Sequence, residues 1–243
     1  YDSSDFRNNC CRSWTRTIES LGDGMNKDDL QRYFVAGSQD FPTLTLSEYE
    51  AKIVAMMQTG ITAYQFREKG AGLTDSAARL ALARRLQAAA KAADVRFFID
   101  DDVDLALAIG ADGIHVGQDD RDIRTVIAET PPEMIVGLSV RNVAEMQAAQ
   151  AVVGLDYLGV GPIFATTTKA DAAEPLGFAG LTAVLAHNEH HLPTVGIGGI
   201  SLATLPALAR TGLDGVAVVS LLSQAPDATT VVQEMTRLWG MAE

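Results

Sequence analysis

Two segments of the chain carry residue types that could bind a phosphorylated molecule and a metal ion. The segment "YQFREKG" holds Arg67 and Lys69, and "IDDDVDLALAIGADGIHVGQDD" starts with Asp100 and Asp101 and ends with Asp120. Carboxylates that lie close together repel one another unless they take up a proton or a cation. Mg²⁺ prefers one or two carboxylates together with substrate phosphates. The pattern therefore predicts a Mg²⁺ site formed by Asp101 and Asp120.

Acidic residues in this segment also have a structural interpretation. Asp and Glu are favoured at helix N-caps and in first turns, where they offset the helix dipole. Asp102 and Asp104 precede or begin an apolar helical pattern, and we assign them to that role. The metal role is assigned to Asp101 and Asp120 because each follows a short apolar run.

The chain alternates short apolar runs with helical patterns eight times from Tyr33 onward. Short, continuously apolar runs are typical of parallel strands that are buried on both faces. Eight strand–helix pairs predict a single (β/α)8 TIM barrel, with a doubly wound open sheet as the alternative. The length of 243 residues suits one α/β domain of this kind.

Polar residues concentrate where the predicted strands end, which is the catalytic rim of such a barrel. Thr and Lys side chains in the sixth loop, and glycines after the seventh strand, are suited to binding phosphate. His115 could act as a base or could be a hydrogen-bonded core histidine. The candidate binding residues on this rim are Gln65, Arg67, Lys69, Asp100, His115, Gly117, Ser139, Thr166, Thr168, Lys169, Gly199, Val219 and Ser220.

Charge and composition exclude several classes of partner. With 19 basic and 31 acidic residues, the net charge is −12. Nucleic acids and anionic membranes need a basic surface, so neither is predicted as a partner. No apolar run is long enough for a transmembrane helix. The two cysteines are neighbours, Cys10 and Cys11, which predicts a reducing, cytoplasmic location.

The first 24 residues differ from the rest of the chain. They are polar, lack helical or strand periodicity and lack the apolar centre of a signal peptide. We predict that residues 1–24 are a disordered or adventitious extension, with a short capping helix as the alternative. Residues 25–243 are then the barrel domain. The sequence leaves the oligomeric state open, a homo-oligomer included.

Several motifs together resemble the thiamine phosphate synthase family. They are "YQFREKG", the acidic segment quoted above, "VGLSVRN", "DYLGVGPIFATTTKADA", "VGIGGI" and "DGVAVVS", and they occur in order from Tyr33 to about Trp239. The resemblance implies a transferase that joins (4-amino-2-methyl-5-pyrimidinyl)methyl diphosphate to 4-methyl-5-(2-phosphoethyl)thiazole. It also implies that Mg²⁺ is required and that the products are thiamine phosphate and pyrophosphate, formed after the bond to pyrophosphate breaks.

The resemblance also implies roles for individual residues. It places Gln65, Arg67 and Lys69 on the pyrimidine diphosphate, and Asp101 and Asp120 on Mg²⁺. It places Ser139 beside the pyrimidine and pyrophosphate, and Lys169 on the pyrophosphate. Arg67, Ser139 and Lys169 are the implied catalytic residues. The thiazole phosphate is implied to contact Thr166, Thr168, Gly199, Val219 and Ser220.

One departure from the family pattern concerns the diphosphate end. The family usually has Ile-Asn-Asp-Arg where this chain has Ile99 followed by Asp100, Asp101 and Asp102. Asp100 would repel a diphosphate unless it is protonated or bridged by metal. Three alternatives remain: a thiazole tautomerase of the same family, a non-catalytic phosphate-binding barrel, and a sugar-phosphate isomerase.

Overall fold

The computed structural model describes residues 25–70, 73–168 and 173–241. Within these residues, eight parallel strands pair in chain order, and the first strand pairs with the last to close a barrel. This confirms the predicted (β/α)8 barrel and excludes the open sheet. The predicted extension, residues 1–24, lies outside the described residues.

The strands are short, and almost every strand residue is buried. Both faces of each strand are covered, one by the surrounding helices and one by the barrel interior, so continuous apolar runs are required. The strands are β1 (Arg32–Ala36), β2 (Ala63–Phe66), β3 (Arg96–Asp100), β4 (Gly113–Val116), β5 (Ile135–Val140), β6 (Tyr157–Val160), β7 (Thr194–Ile197) and β8 (Gly215–Val218).

Helices follow each strand and form the outer layer. They are α1 (Leu46–Met57), α2 (Ser76–Ala92), α3 (Val103–Ile109), α4 (Ile123–Glu129), α5 (Val143–Gln150), α6 (Gly177–Leu185), α7 (Leu205–Leu208), α8 (Ser220–Ser223) and α9 (Ala228–Gly240), with 3-10 turns at Lys27–Leu30 and Ser38–Asp40. No helix in the described ranges is long and apolar enough to cross a membrane.

The acids at the start of α3 have the predicted structural role. The side chain of Asp102 accepts a hydrogen bond from the backbone N–H of Leu105, so it is the N-cap, and Asp104 lies in the first turn. These contacts satisfy backbone donors that would otherwise have no partner at the helix start. Asp102 also pairs with Arg79 at 3.4 Å. Both acids are therefore explained without a ligand.

A second, smaller core fills the barrel interior. It includes Tyr33, Phe98 and Tyr157, whose rings contact one another with centroids 5.3–6.3 Å apart. Met25 belongs to the same core, and the 3-10 turn Lys27–Leu30 contacts β1, β7 and β8. This segment precedes β1 and so covers the N-terminal end of the barrel. The polar cavity lies at the other end.

Gly137 gives room to the aromatic residues of the interior. A Cβ atom at this position in β5 would overlap the ring of Tyr157 and would lie 2.6 Å from Nδ1 of His115. Because barrel interiors are packed without spare volume, neither ring can move away without disturbing its neighbours.

We therefore expect Gly137→Ala to destabilise the barrel by about 1–3 kcal/mol, the usual penalty for overpacking. Urea unfolding measures this loss. Gly240→Ala is the control, because a Cβ at Gly240, near the end of α9, meets no heavy atom within 4 Å. Equal unfolding free energies for the two variants would contradict the packing argument.

Candidate active site

A cavity of about 490 Å³ opens at the carboxyl ends of the strands. It brings together every described residue that the sequence assigned to binding or metal ligation. These are Gln65, Arg67, Lys69, Asp100, Asp101, His115, Gly117, Asp120, Ser139, Thr166, Thr168, Gly199, Val219 and Ser220. These residues line one cavity, and their roles in binding and metal ligation remain predictions. Lys169 lies outside the described residues.

Cations from the end of β2 meet carboxylates from the end of β3. The register pairs Phe66 with Ile99, so Arg67, which follows β2, is a neighbour of Asp100, the last residue of β3. Arg67 Nε lies 3.4 Å and Lys69 Nζ 3.5 Å from Oδ2 of Asp100. Lys69 Nζ also contacts Oδ2 of Asp101. Lys69 thus bridges two adjacent carboxylates, which reduces their repulsion.

Asp100 is the most perturbed carboxylate of this cluster. Burial raises its pKa from 3.8 to about 6. Arg67 and Lys69 oppose this rise, whereas Asp101 and Asp120 add to it. Desolvation therefore outweighs the two nearby cations, and the negative charge of Asp100 at neutral pH is held at a free-energy cost.

Asp119 and Asp120 are neighbours in the chain, but their side chains lie in different environments. Asp119 is exposed and binds Arg141 at 3.0 Å. Asp120 lines the cavity, and its Oδ2 accepts a hydrogen bond of 2.7 Å from the backbone N–H of Gly117. Of the two acids, only Asp120 lines the cavity.

The carboxylates of Asp101 and Asp120 fit the donor chemistry of Mg²⁺. Among the described residues, no group of three or more His, Cys, Asp or Glu side chains could hold a metal. Mg²⁺ needs no such cage, since it usually keeps waters and combines one or two carboxylates with substrate phosphates. The site suits an ion that completes its coordination from a bound substrate.

A chain of hydrogen bonds crosses the barrel interior beneath the charged cluster. Gln65 Nε2 donates to the hydroxyl of Tyr33 at 3.0 Å, and this hydroxyl lies 3.1 Å from that of Tyr157. The Tyr157 hydroxyl is 3.0 Å from Nδ1 of His115, whose Nε2 is 2.9 Å from Oγ of Ser139. Two predicted binding residues, Gln65 and Ser139, are thereby linked through three buried rings.

His115 is a neutral member of this chain. Burial lowers its pKa from 6.5 to about 4, although the charge of Asp120 acts in the opposite direction. A neutral imidazole donates through one nitrogen and accepts through the other. Both nitrogens already face hydroxyl groups of the protein, so the geometry favours the core-histidine interpretation. His115 then orients the Ser139 hydroxyl.

The sequence did not identify Tyr33, Tyr157 or Arg141 as lining residues of the cavity. The signal available was weak: each tyrosine lies at the start of an apolar strand, and Arg141 comes two residues after Ser139. Burial raises the pKa of both tyrosines, so their hydroxyls keep their protons and can relay hydrogen bonds.

The ends of β6 to β8 form the other part of the rim. Gly198 and Gly199 have positive φ angles of 99° and 63°, and a Cβ at Gly199 would lie 2.5 Å from the carbonyl oxygen of Ala165. This close approach brings the β7 loop against the loop that carries Thr166 and Thr168. Hydroxyls and glycine backbone on this side are suited to an oxyanion.

Comparisons with known proteins agree on one family. Residues 32–222 match the family model described as thiamine monophosphate synthase. A protein of Lactococcus lactis subsp. lactis named thiamine-phosphate synthase is 48% identical over 207 residues, which is 85% of this chain and 95% of the relative. A Levilactobacillus brevis protein of the same name is 49% identical over 199 residues, which is 82% of this chain and 89% of the relative.

Solved structures give the same result. Thiamine phosphate pyrophosphorylase from Pyrococcus furiosus superposes with a TM-score of 0.76 at 30% identity, over 89% of this chain and 98% of that one. A 3-hexulose-6-phosphate synthase from Salmonella typhimurium reaches a TM-score of 0.64 at 18% identity, over 88% of this chain and 100% of that one. The second likeness shows a shared barrel fold alone.

The low pKa of His115 predicts an acid-dependent loss of stability. Because its folded-state pKa lies below the ordinary value, the unfolded chain binds the proton more readily. The contribution of His115 to stability is therefore complete above about pH 6.5 and falls as the pH decreases toward about 4. His115→Gln removes this titration. Relative to that variant, the unaltered protein should lose roughly 1–2 kcal/mol between pH 7 and pH 5.

Urea unfolding at both pH values measures this difference. His190→Gln is the control, because His190 is exposed in the segment before β7. A stability difference between His115→Gln and the unaltered protein that does not change with pH would contradict the burial argument.

Proposed function

The chain belongs to the thiamine monophosphate synthase family, and we propose that its strand-end cavity joins a pyrimidinylmethyl diphosphate to a thiazole phosphate. In this reaction the bond between the pyrimidine methylene carbon and the diphosphate oxygen breaks, and pyrophosphate leaves with the electron pair. The lone pair of the thiazole nitrogen then forms the new carbon–nitrogen bond of thiamine phosphate. One observation carries the proposal: Arg67 and Lys69 share a cavity with the carboxylates Asp101 and Asp120.

The cations at the end of β2 are suited to the leaving diphosphate. Arg67 and Lys69 are already held near Asp100, so their charges are in place before a substrate binds. Preorganised charges act most strongly on the transition state, where negative charge builds up on the departing oxygen. Lys169, which the resemblance places on pyrophosphate, stays a prediction.

Asp101 and Asp120 would hold Mg²⁺ at the same end of the cavity. When bound there, the ion would neutralise part of the charge on the diphosphate. This assignment is supported by their shared position on the cavity wall and by their oxygen donors. The contact of Lys69 with Asp101 keeps that carboxylate balanced by a cation until a substrate arrives.

Gln65 and Ser139 are suited to the pyrimidine ring, at the inner end of the cavity. Both belong to the chain of hydrogen bonds through Tyr33, Tyr157 and His115, which limits how each side chain can turn. Among the described lining residues, His115 is the one imidazole, and its nitrogens face protein hydroxyls. A substitution driven by loss of pyrophosphate needs no strong base, which agrees with this arrangement.

The thiazole phosphate is assigned to the ends of β6 to β8. Thr166, Thr168 and Ser220 provide hydroxyls there, and Gly199 and Val219 provide backbone at the cavity wall. Two anionic groups, one on each substrate, then bind at separate parts of one rim. This separation holds the thiazole and the pyrimidine in line for bond formation.

We also propose that residues 25–243 form the catalytic domain, since the family match and the inner core, Met25 included, lie within them. The substrates are small phosphorylated molecules. A cytoplasmic location stays a prediction from the cysteine content.

The reaction itself is tested by incubating the protein with both precursors and Mg²⁺. We expect thiamine phosphate and pyrophosphate in equal amounts, measured by chromatography. A double-bond shift in the thiazole phosphate without condensation would indicate the tautomerase instead. Binding of the thiazole phosphate without any turnover would indicate a non-catalytic barrel.

The Mg²⁺ assignment predicts that Asp120→Ala abolishes turnover that depends on Mg²⁺. A neighbouring acid provides the control, because Asp119 is exposed and binds Arg141 rather than lining the cavity. Asp119→Ala should therefore keep near-normal rates. Near-normal turnover by Asp120→Ala would remove this residue from the metal site.

The departure at Asp100 predicts a gain of affinity on replacement. Asp100→Asn removes a buried negative charge near the diphosphate and restores the residue usual in the family. We expect the KM for the diphosphate substrate to fall by about tenfold, equivalent to roughly 1.4 kcal/mol, because the repulsion by Asp100 outweighs its hold on the cations and Lys69 keeps its contact with Asp101.

Steady-state kinetics with the diphosphate substrate varied measure this change. Asp102→Asn is the control, since asparagine also caps helices and Asp102 binds Leu105 N–H and Arg79. A higher KM in Asp100→Asn than in Asp102→Asn would show that the carboxylate at position 100 aids binding.

A further inference from the structure

Two residues outside the binding set hold the backbone that carries the cations. We propose that Gln39 and Glu68 are positioning residues, which fasten the loop after β1 to the loop after β2 and so hold Arg67 and Lys69 ready for a diphosphate. The inference rests on the proposed function for the identity of that anion. Neither Gln39 nor Glu68 lines the cavity.

Glu68 lies between the two cationic residues but is buried, with 6% of its surface exposed. Its carboxylate accepts hydrogen bonds from the backbone N–H of Ser38 at 3.0 Å, the hydroxyl of Ser38 at 2.5 Å and the backbone N–H of Gly70 at 3.0 Å. A buried carboxylate is stable only when such donors replace water. Its donors come from both loops, so Glu68 ties the loops together.

Gln39 binds the backbone on both sides of Glu68. Its Nε2 donates to the carbonyl oxygen of Arg67 at 2.7 Å, and its Oε1 accepts from the backbone N–H of Lys69 at 3.0 Å. The strands themselves stop earlier, with the N–H of Arg67 bonded to the carbonyl of Ala36. The side-chain amide of Gln39 therefore continues the β1–β2 pairing beyond the end of β1.

Asp40 fixes the orientation of the Gln39 amide. Its Oδ2 accepts from Gln39 Nε2 at 3.0 Å and from the backbone N–H of Gly37 at 2.9 Å. Because an ionised carboxylate only accepts hydrogen bonds, the nitrogen of the amide must face it. The oxygen is then left for Lys69. A Cβ at Gly37 would overlap the Arg67 carbonyl, so the two loops pack against each other here.

This arrangement matters because residues 67–70 belong to neither a strand nor a helix. Long cationic side chains lose rotamer freedom when they bind an anion, and an unfastened backbone would lose further freedom at the same step. Hydrogen bonds from Gln39 and Glu68 order this backbone before binding. The expected consequence is tighter binding of diphosphate, with little effect on the thiazole phosphate at β6 to β8.

Gln39→Met tests the proposal, because methionine keeps the length of the side chain but makes none of these hydrogen bonds. The probe is inorganic pyrophosphate in a buffer with Mg²⁺, and calorimetry measures its affinity. We expect about tenfold weaker binding of pyrophosphate. The KM for the diphosphate substrate should rise similarly, while the KM for the thiazole phosphate stays within about twofold.

Gln87→Met is the matched control. Gln87 also donates from its amide to a backbone carbonyl, that of Gly110 at 2.8 Å, but it does so between α2 and α3 outside the cavity. This variant should bind pyrophosphate as the unaltered protein does. Unchanged pyrophosphate affinity in Gln39→Met, or an equal rise of KM for both substrates, would overturn the positioning role.

Two further measurements test the positioning role independently of Gln39 and of turnover. Ser38→Ala removes one hydroxyl donor from Glu68 and should weaken pyrophosphate binding, though less than Gln39→Met does. Unchanged pyrophosphate binding in Ser38→Ala would remove Glu68 from the positioning role. The affinity for pyrophosphate can also be measured without turnover. If the unaltered protein makes no thiamine phosphate, weaker pyrophosphate binding by Gln39→Met still supports the positioning role, and unchanged binding still overturns it.

Discussion

The contact between the cations that follow β2 and the carboxylates at the end of β3 determines the arrangement of the site. Parallel pairing of the two strands places Arg67 and Lys69 beside Asp100 and Asp101, so opposite charges meet at the mouth of the barrel. The two sets of charges compensate each other. The carboxylates hold the cations in place, and the cations reduce the repulsion between the carboxylates. A diphosphate with its metal ion would bring negative oxygens to the cations and a positive ion to the carboxylates.

The charged rim depends on a neutral layer beneath it. Burial keeps His115 unprotonated and keeps Tyr33 and Tyr157 protonated, so the barrel interior holds hydrogen bonds rather than charges. These groups connect Gln65 to Ser139 and fill the space below the cavity. A charged histidine at this depth would be costly, because desolvation outweighs the attraction of Asp120. The site thus combines a charged outer region with an inner region of neutral hydrogen-bonding groups.

The fold and most of the residues that line the cavity could be predicted from the sequence, because both follow from local sequence patterns. Alternating apolar and helical patterns predict the barrel, and barrel geometry brings residues such as Arg67, Asp120 and Ser139 to one rim. The sequence did not predict a role for Gln39, whose side chain forms hydrogen bonds to the backbone of a separate loop. Such contacts depend on the register of β1 against β2 and on rotamers, and no local pattern encodes them. Glu68 lies within the quoted motif "YQFREKG", but the motif does not indicate that its side chain is buried.

Under the proposed function, one rim of the barrel holds a diphosphate between the β2 cations and a metal ion bound by carboxylates. A crystal structure with pyrophosphate and Mn²⁺, a Mg²⁺ substitute located by its anomalous scattering, tests this most directly. We expect one Mn²⁺ bound to Asp101 and Asp120 at roughly 2.1 Å, with pyrophosphate oxygens on the ion and on Arg67 and Lys69. Pyrophosphate bound away from these cations, or Mn²⁺ bound elsewhere, would contradict it.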